Sequence, residues 1–183
     1  MHAPHVVEHG PMQHFEGAQR SLLDVDPSAV AAHALKVART TALGILGDRD
    51  AAADVAQEVA ITAVANIARL RDPGALDAWL RRITVRRALE YARRNQRRRQ
   101  AELAHENGRP VAAGADAVAE ALDVLAGLPP AQRAALTLRY VHDLTDEQIA
   151  RALGRRPGTV RSLLSRGRAT VRAKHEARTE LRP

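Results

Sequence analysis

The sequence predicts an all-α fold of two small helical domains joined by a flexible linker. Three observations carry this. Only four of the 183 residues are aromatic (Phe15, Trp79, Tyr91 and Tyr140), so any core must be built from Ala, Leu, Val and Ile. Such a composition suits helices packed closely on small side chains and leaves too little bulk for an all-β sandwich. Apolar residues recur at steps of three and four in two separate stretches. Between these stretches lies QAELAHENGRPVAAGADAVAEA, which is rich in Ala, Gly and Pro and has no sustained apolar period until about Val118. The expected partition is a disordered tail over 1–27, a first lobe over 28–99, an acidic linker over 100–118, a second lobe over 119–175 and a tail over 176–183.

In the first lobe, residues 27 to 46 form a helix on Val30, Leu35, Val37, Ala38, Ala42, Ile45 and Leu46, closed by Gly47. Asp48 caps a second helix whose buried face is Ala52, Val55, Val59, Ala63, Ile67 and Leu70. Its opposite side carries Asp54, Gln57 and Glu58. Asp72-Pro73-Gly74 makes a turn, and a third helix starts near Ala75 with Leu76, Trp79, Leu80 and Ile83 facing inward. At that spacing Trp79 is a core residue, not a base-stacking one.

The third helix continues as an arginine-rich segment. At about 100° per residue, Arg82, Arg86, Arg93 and Arg97 fall within an arc of roughly 60°. Arg87, Arg94 and Arg98 form a second line, and Glu90 is the only acid between Ala78 and Glu102. A face so short of acids calls for a polyanion to compensate it.

The second lobe opens at Leu128-Pro129-Pro130 with a helix to about His142 that buries Ala134, Ala135, Leu138 and Val141 and leaves Arg133 and Arg139 outside. Thr145 and Gln148 match a capping box for a helix burying Ile149, Ala150 and Leu153. Gly154 ends that helix, and Pro157 starts another with Val160, Leu164 and Val171 inward. Ala150, Gly154 and Val160 are small or apolar at the spacing that lets two helices cross around a tight turn, which is a helix-turn-helix. On the last helix Arg161, Ser165, Arg168 and Arg172 share one face, flanked by Ser162 and Arg166. Arginine can read guanine edges and serine can bond bases or phosphates, so this face fits a DNA major groove.

The net charge of +7 is uneven: −3 over residues 1–32, +7 over 33–100, −4 over 101–130 and +7 over 131–183. Of the 28 basic residues only Lys36 and Lys174 are lysines, and arginine is the better phosphate and guanine ligand. The absence of cysteine removes disulfides, Cys-ligated zinc and thiol catalysis, and fits an intracellular, cytoplasmic protein. No stretch approaches the roughly 18 uninterrupted apolar residues of a membrane span. His2, His5, His9 and His14 lie in a tail without a scaffold, so no metal site is expected there. No catalytic triad, paired carboxylates or phosphate loop is present, so neither a cofactor nor an enzymatic activity is expected.

These residues resemble the extracytoplasmic-function (ECF) group of bacterial RNA polymerase sigma factors, over roughly residues 28 to 173. The resemblance is carried by Asp54, Gln57 and Glu58 in DVAQEV, by DAWLRRI and the arginine-rich helix end, by Leu128-Pro129, Leu138-Arg139-Tyr140 and Leu144-Thr145, and by Gly158-Thr159-Val160-Arg161-Ser162. It implies a subunit that binds core RNA polymerase and directs promoter-specific initiation. Asp54, Gln57 and Glu58 would dock on the clamp helices of the largest polymerase subunit, and the second lobe on the subunit that contacts the fourth sigma domain. Arg71 and Asp72, in the loop before the third helix, together with Arg82, Arg86, Arg87, Arg93, Arg94 and Arg97, would contact the minus-ten element. Arg155, Arg156, Thr159, Arg161, Ser162, Ser165, Arg166 and Arg168 would contact the minus-thirty-five element. The acidic linker would thread the polymerase channels, and an anti-sigma factor is an implied partner. Arg86 stands where relatives often have Asn, and Leu163 and Ser165 where they commonly carry larger or charged groups, so the DNA sequences preferred are left open. The alternative is a free-standing helix-turn-helix regulator on operator DNA, which leaves DVAQEV and DAWLRRI unexplained.

Overall fold

The computed structural model describes residues 26–103, 125 and 127–180, and the regular structure among them is helical. The histidine-bearing tail and most of the acidic linker lie outside the described residues. Six α-helices follow in order: α1 (Pro27–Leu46), α2 (Arg49–Asn66), α3 (Leu76–Leu103), α4 (Pro130–Tyr140), α5 (Asp146–Leu153) and α6 (Pro157–Glu180). Two short 3-10 turns, Ile67–Arg69 and Pro73–Ala75, join α2 to α3.

Local chemistry sets most of the boundaries. The Asp26 carboxylate accepts the Ser28 N–H to cap α1, and Gly47 ends it in the left-handed region at φ 70°, donating its N–H to Leu43 O at 2.8 Å. One residue later Asp48 accepts the Asp50 and Ala51 amides, each at 3.0 Å, so two helices meet at a corner with both sets of end groups satisfied. Helix α4 stops at Tyr140, two residues short of the expected end. There Asp143 takes φ 49° and Leu144 N–H turns back to Leu138 O at 3.1 Å, which reverses the chain. An Arg139–Asp146 ion pair closes the same corner, so Arg139 is half-buried and not on the outside.

The first lobe packs α1 along α2 and across α3 on a core dominated by alanine: Ala34, Ala38, Ala42, Ala52, Ala56 and Ala63, with Val30, Val55, Val59 and Leu80. By length and composition α1 could cross a membrane, at mean hydropathy 1.2. Its alanine face is filled by α2 and α3, and Lys36 and Arg39 lie on its exposed side. Leu35, expected inward, is 39% exposed, off the alanine face that α2 and α3 cover.

The second lobe packs α4, α5 and α6 around Leu128, Ala134, Leu138, Ile149, Val160 and Leu164. Buried Gly167 lets α6 approach α4: a Cβ there would sit 3.0 Å from Leu136 Cδ1. Val141, expected inward, is 54% exposed, since the turn after Tyr140 carries it off the helical face. Arg133, expected outside, is half-buried, and burial holds its guanidinium below its usual range.

The two lobes also pack on each other, which the sequence alone did not reveal. Ile45 of α1 and Val85 and Ala88 of α3 belong to the same buried cluster as the second-lobe residues. Gly44 of α1 faces Thr137 of α4, where an added Cβ would lie 2.5 Å from Thr137 Oγ1. Beside it, fully buried Thr41 pairs through Oγ1 with His142 Nε2 at 2.7 Å, and Thr41 Oγ1 also donates to Val37 O.

Burial, and next the nearby Arg81 charge, holds the His142 imidazole below its ordinary pKa, against a smaller opposing pull from Asp77. The folded chain takes up this proton less readily than the unfolded chain does. The unfolded chain therefore binds more protons below its usual pKa of about 6.5, and stability is full above that value and falls as pH drops through it. Between pH 7.5 and 5.5 the thermal midpoint should fall more steeply for the wild type than for His142→Asn, which can keep a bond to Thr41 without titrating; parallel curves would refute this role.

Candidate nucleic-acid interface

The helix-turn-helix is built by capping. Thr145 Oγ1 accepts the Gln148 N–H at 3.3 Å while Gln148 Oε1 accepts the Thr145 N–H at 2.8 Å, which fixes where α5 begins. Gly154, at φ 60°, ends α5 after eight residues, and Arg155 N–H returns to Ala150 O at 2.9 Å. Pro157 then starts α6 where its missing N–H costs nothing. With Val160 and Leu164 inward, Arg155, Arg156, Thr159, Arg161, Ser162, Ser165, Arg166 and Arg168 are all exposed. Ser162 Oγ donates to Gly158 O at 3.1 Å and Arg166 Nε to Ser162 O at 3.3 Å, so both side chains lie along the helix in this unbound form. Glu147 sits at the start of α5. Its own backbone N–H and the Thr145 hydroxyl hold its carboxyl below the usual range, helped by Arg161 and Arg151.

Helix α3 presents the second basic surface. Arg82, Arg86, Arg93 and Arg97 are exposed along one face, with Arg86 Nε 3.1 Å from Glu90. Arg87 and Arg94 lie elsewhere. Arg87 Nη1 meets Glu58 Oε2 at 2.5 Å and its Nη2 donates to Thr62 Oγ1 at 3.2 Å. Arg87 and Arg94 line a groove between α2 and α3 with Asp54, Glu58, Tyr91 and Asn95. Measured about the helix axis, this second line stands about 120° from the first. The structure therefore brings Arg87 and Arg94 to the acidic face of α2, where Asp54, Gln57 and Glu58 are all exposed. Sequence reading grouped both lines on one surface; the signal that separates them is that Arg87 continues the row of Leu80 and Thr84, both buried.

In the loop before α3, Asp72 accepts the Gly74 N–H at 2.9 Å and so caps the second 3-10 turn, while Arg71 is exposed. Arg82 has an unexpected neighbourhood. It lines a shallow hollow with Glu147, Arg151, Gly154 and Arg155, so one end of the α3 stripe meets the start of the helix-turn-helix. Among the described residues no cluster of three or more acidic or histidine side chains is placed to hold a metal ion.

Each of the two helical lobes presents an exposed arginine face, and the second carries a helix-turn-helix. Residues 29–98 match the family Sigma-70 region 2, and residues 119–171 match Sigma-70, region 4. The chain is 36% identical over 163 residues to the ECF RNA polymerase sigma factor SigE of Mycolicibacterium smegmatis, covering 80% of this chain and 61% of that protein. It is 31% identical over 115 residues to the RNA polymerase sigma-E factor of Streptomyces avermitilis, covering 60% of this chain and 62% of that one. The chain thus spans about three fifths of the length of either relative. Its fold resembles that of the sigma factor RpoE from Bartonella quintana, solved with the anti-sigma factor NepR, at a TM-score of 0.63 and 23% identity, covering 78% of this chain and 91% of that one. The chain belongs to the ECF-type RNA polymerase sigma factor family.

Thr145→Ala removes one half of the capping box and should cost about 1 kcal/mol. The loss is read as a lower unfolding midpoint and faster amide exchange in α5, with α1 to α3 unchanged; equal loosening of both lobes would contradict a local cap.

Proposed function

We propose that this chain is a promoter-specificity subunit: it binds core RNA polymerase, brings it to minus-ten and minus-thirty-five elements and aids DNA opening. The observation that carries this reading is the presence of both sigma regions in one chain, each with its basic face exposed. Asp54, Gln57 and Glu58 dock on the polymerase clamp helices, where an acidic hydrogen-bonding patch meets basic partner residues. The α3 stripe follows the minus-ten segment by phosphate contacts, with Arg71 and Asp72 beside the base that leaves the stack. Helix α6 reads the minus-thirty-five element through Arg161, Ser162, Ser165 and Arg166, while Arg155, Arg156 and Arg168 hold phosphates. The second lobe also contacts a polymerase subunit, and the acidic linker enters the polymerase channels. An anti-sigma factor, of the kind that holds the Bartonella quintana protein, is a further partner in this reading. The protein acts in the cytoplasm and performs no catalytic step of its own.

Run-off transcription with purified core polymerase on a library of genomic promoter fragments tests the proposal. Transcripts that depend on the protein and share two upstream elements are expected. Duplex binding without transcripts or core association would instead favour the operator-binding regulator.

The two surfaces are separable. Asp54→Lys with Glu58→Lys should abolish association with core polymerase while binding to a minus-thirty-five duplex is retained; loss of both activities would deny Asp54 and Glu58 a docking role.

On α6, Arg156→Ala should weaken binding to every duplex and reduce the salt slope by about 0.9. Arg161→Ala should cost about 1–3 kcal/mol on the preferred element alone. Titrations on matched and scrambled duplexes at several salt concentrations separate the two, and interchangeable effects would refute the assignment.

A further inference from the structure

We infer that Arg87 is a positioning residue for polymerase docking: its guanidinium reaches from α3 to α2 and holds the Glu58 carboxylate in the orientation that the partner meets. The inference rests on the docking role proposed above for Glu58, and it takes Arg87 off the DNA-contacting surface.

The geometry is a closed ring of hydrogen bonds. Arg87 Nη1 donates to Glu58 Oε2 at 2.5 Å, and Arg87 Nη2 donates to Thr62 Oγ1 at 3.2 Å. Thr62 Oγ1 in turn donates to the Glu58 backbone O at 2.8 Å. The guanidinium is thus held at two points one turn apart on α2, by two nitrogens of one rigid fork. Glu58 accepts from Arg87 through a single carboxylate oxygen, and an ionised carboxylate has acceptor sites on both, so Oε1 can still receive a partner's donor. The Arg87 and Glu58 side chains are 39% and 52% exposed, which leaves the pair within reach of that partner.

The position of Arg87 on α3 dictates this role. Leu80, Thr84, Arg87 and Tyr91 follow one another at steps of four, three and four, so they share the row that faces α2. Leu80 and Thr84 are buried and Arg87 is half-buried, where the row climbs from the core to the rim. Val55 and Tyr91 line the groove beside it. Arg82, Arg86, Arg93 and Arg97 occupy a different arc of the helix, so a DNA backbone that follows them passes Arg87 by.

Two effects of Arg87 on docking oppose each other. Its charge offsets part of the Glu58 charge and so weakens attraction to a basic partner, but at an exposed rim that attraction is screened by salt. Its hydrogen bonds order the Glu58 side chain before binding. Immobilising one such side chain on association costs about 2- to 10-fold in affinity, and salt does not screen that term. Orientation therefore decides the outcome at physiological ionic strength.

A double-mutant cycle on the full chain with purified core polymerase tests this. Arg87→Gln should weaken association by about 2- to 10-fold, and the deficit should persist as salt is raised. Arg87→Lys keeps the charge but cannot span Glu58 and Thr62, so it should remain weakened. Glu58→Ala should weaken association as well, and adding Arg87→Gln to it should weaken it no further. At saturating core polymerase, promoter binding by the Arg87→Gln holoenzyme should keep the wild-type salt slope.

Additive losses, or tighter association by Arg87→Gln, overturn the positioning role, and full activity of Arg87→Lys overturns the two-point hold. A salt slope lowered by about 0.7–0.9 puts Arg87 on a phosphate and overturns the inference as well. Core affinity unchanged by Glu58→Ala removes the docking role of Glu58 and the inference with it. A loss at Glu58 with none at Arg87 overturns the inference alone.

Discussion

Close approach of helix backbones is the constraint on which the rest of this structure depends. With four aromatic residues in the whole chain, neither lobe can fill a wide interior. The first lobe solves this with an alanine face on α1 and α2, and the second with Gly167 under Leu136. Interiors pack at crystal-like density, so short side chains on one helix oblige the next helix to come near. The same requirement extends beyond each lobe. Gly44, Val85 and Ala88 are small enough to admit a third layer, and the second lobe supplies it.

Helix α3 shows how such packing distributes charge. Its 28 residues face α1 and α2 through Leu80 and Thr84, and the second lobe through Val85 and Ala88. The arcs that remain are few, and the arginines occupy them. Arg82, Arg86, Arg93 and Arg97 take the arc open to solvent, where a duplex can run along the helix. Arg87 and Arg94 take the arc above α2, where Glu58 and Asp54 lie. An exposed pair such as Arg87–Glu58 contributes at most about 1 kcal/mol, so its consequence is orientation more than stability. It sets the Glu58 carboxylate at the rim of the groove, on the face assigned to polymerase.

What was legible in the sequence is what local chemistry decides. Asp48, Thr145 with Gln148, Gly154 and Pro157 mark helix ends because each satisfies or omits a specific backbone group within four residues. The exposed face of α6 was legible for a similar reason, since one periodicity places Val160 and Leu164 inward and the arginines outward. Leu35 and Val141 read as core because they are apolar at helical spacing, but periodicity does not say how far a neighbour covers a position, and they are 39% and 54% exposed. For Arg87 periodicity gives the arc without saying what stands opposite, which in this structure is Glu58 and Thr62. The lobe-to-lobe seam was least legible, for its residues lie as far apart as Thr41 and His142. One sign was available: Gly44 lies in the last turn of α1 but is not the glycine that ends it, and a helical glycine forfeits propensity that a close approach can account for.

The seam between the lobes is the furthest reach of that constraint. From the first lobe Thr41, Ile45, Val85 and Ala88 are buried there, and Leu46 and Leu89 pack against the same cluster partly buried. Gly44 brings α1 against the Thr137 side chain of α4, where no Cβ would fit without a shift. The aliphatic residues supply the apolar area and the glycine supplies the approach, so the geometry of the contact is set by the smallest residue in it.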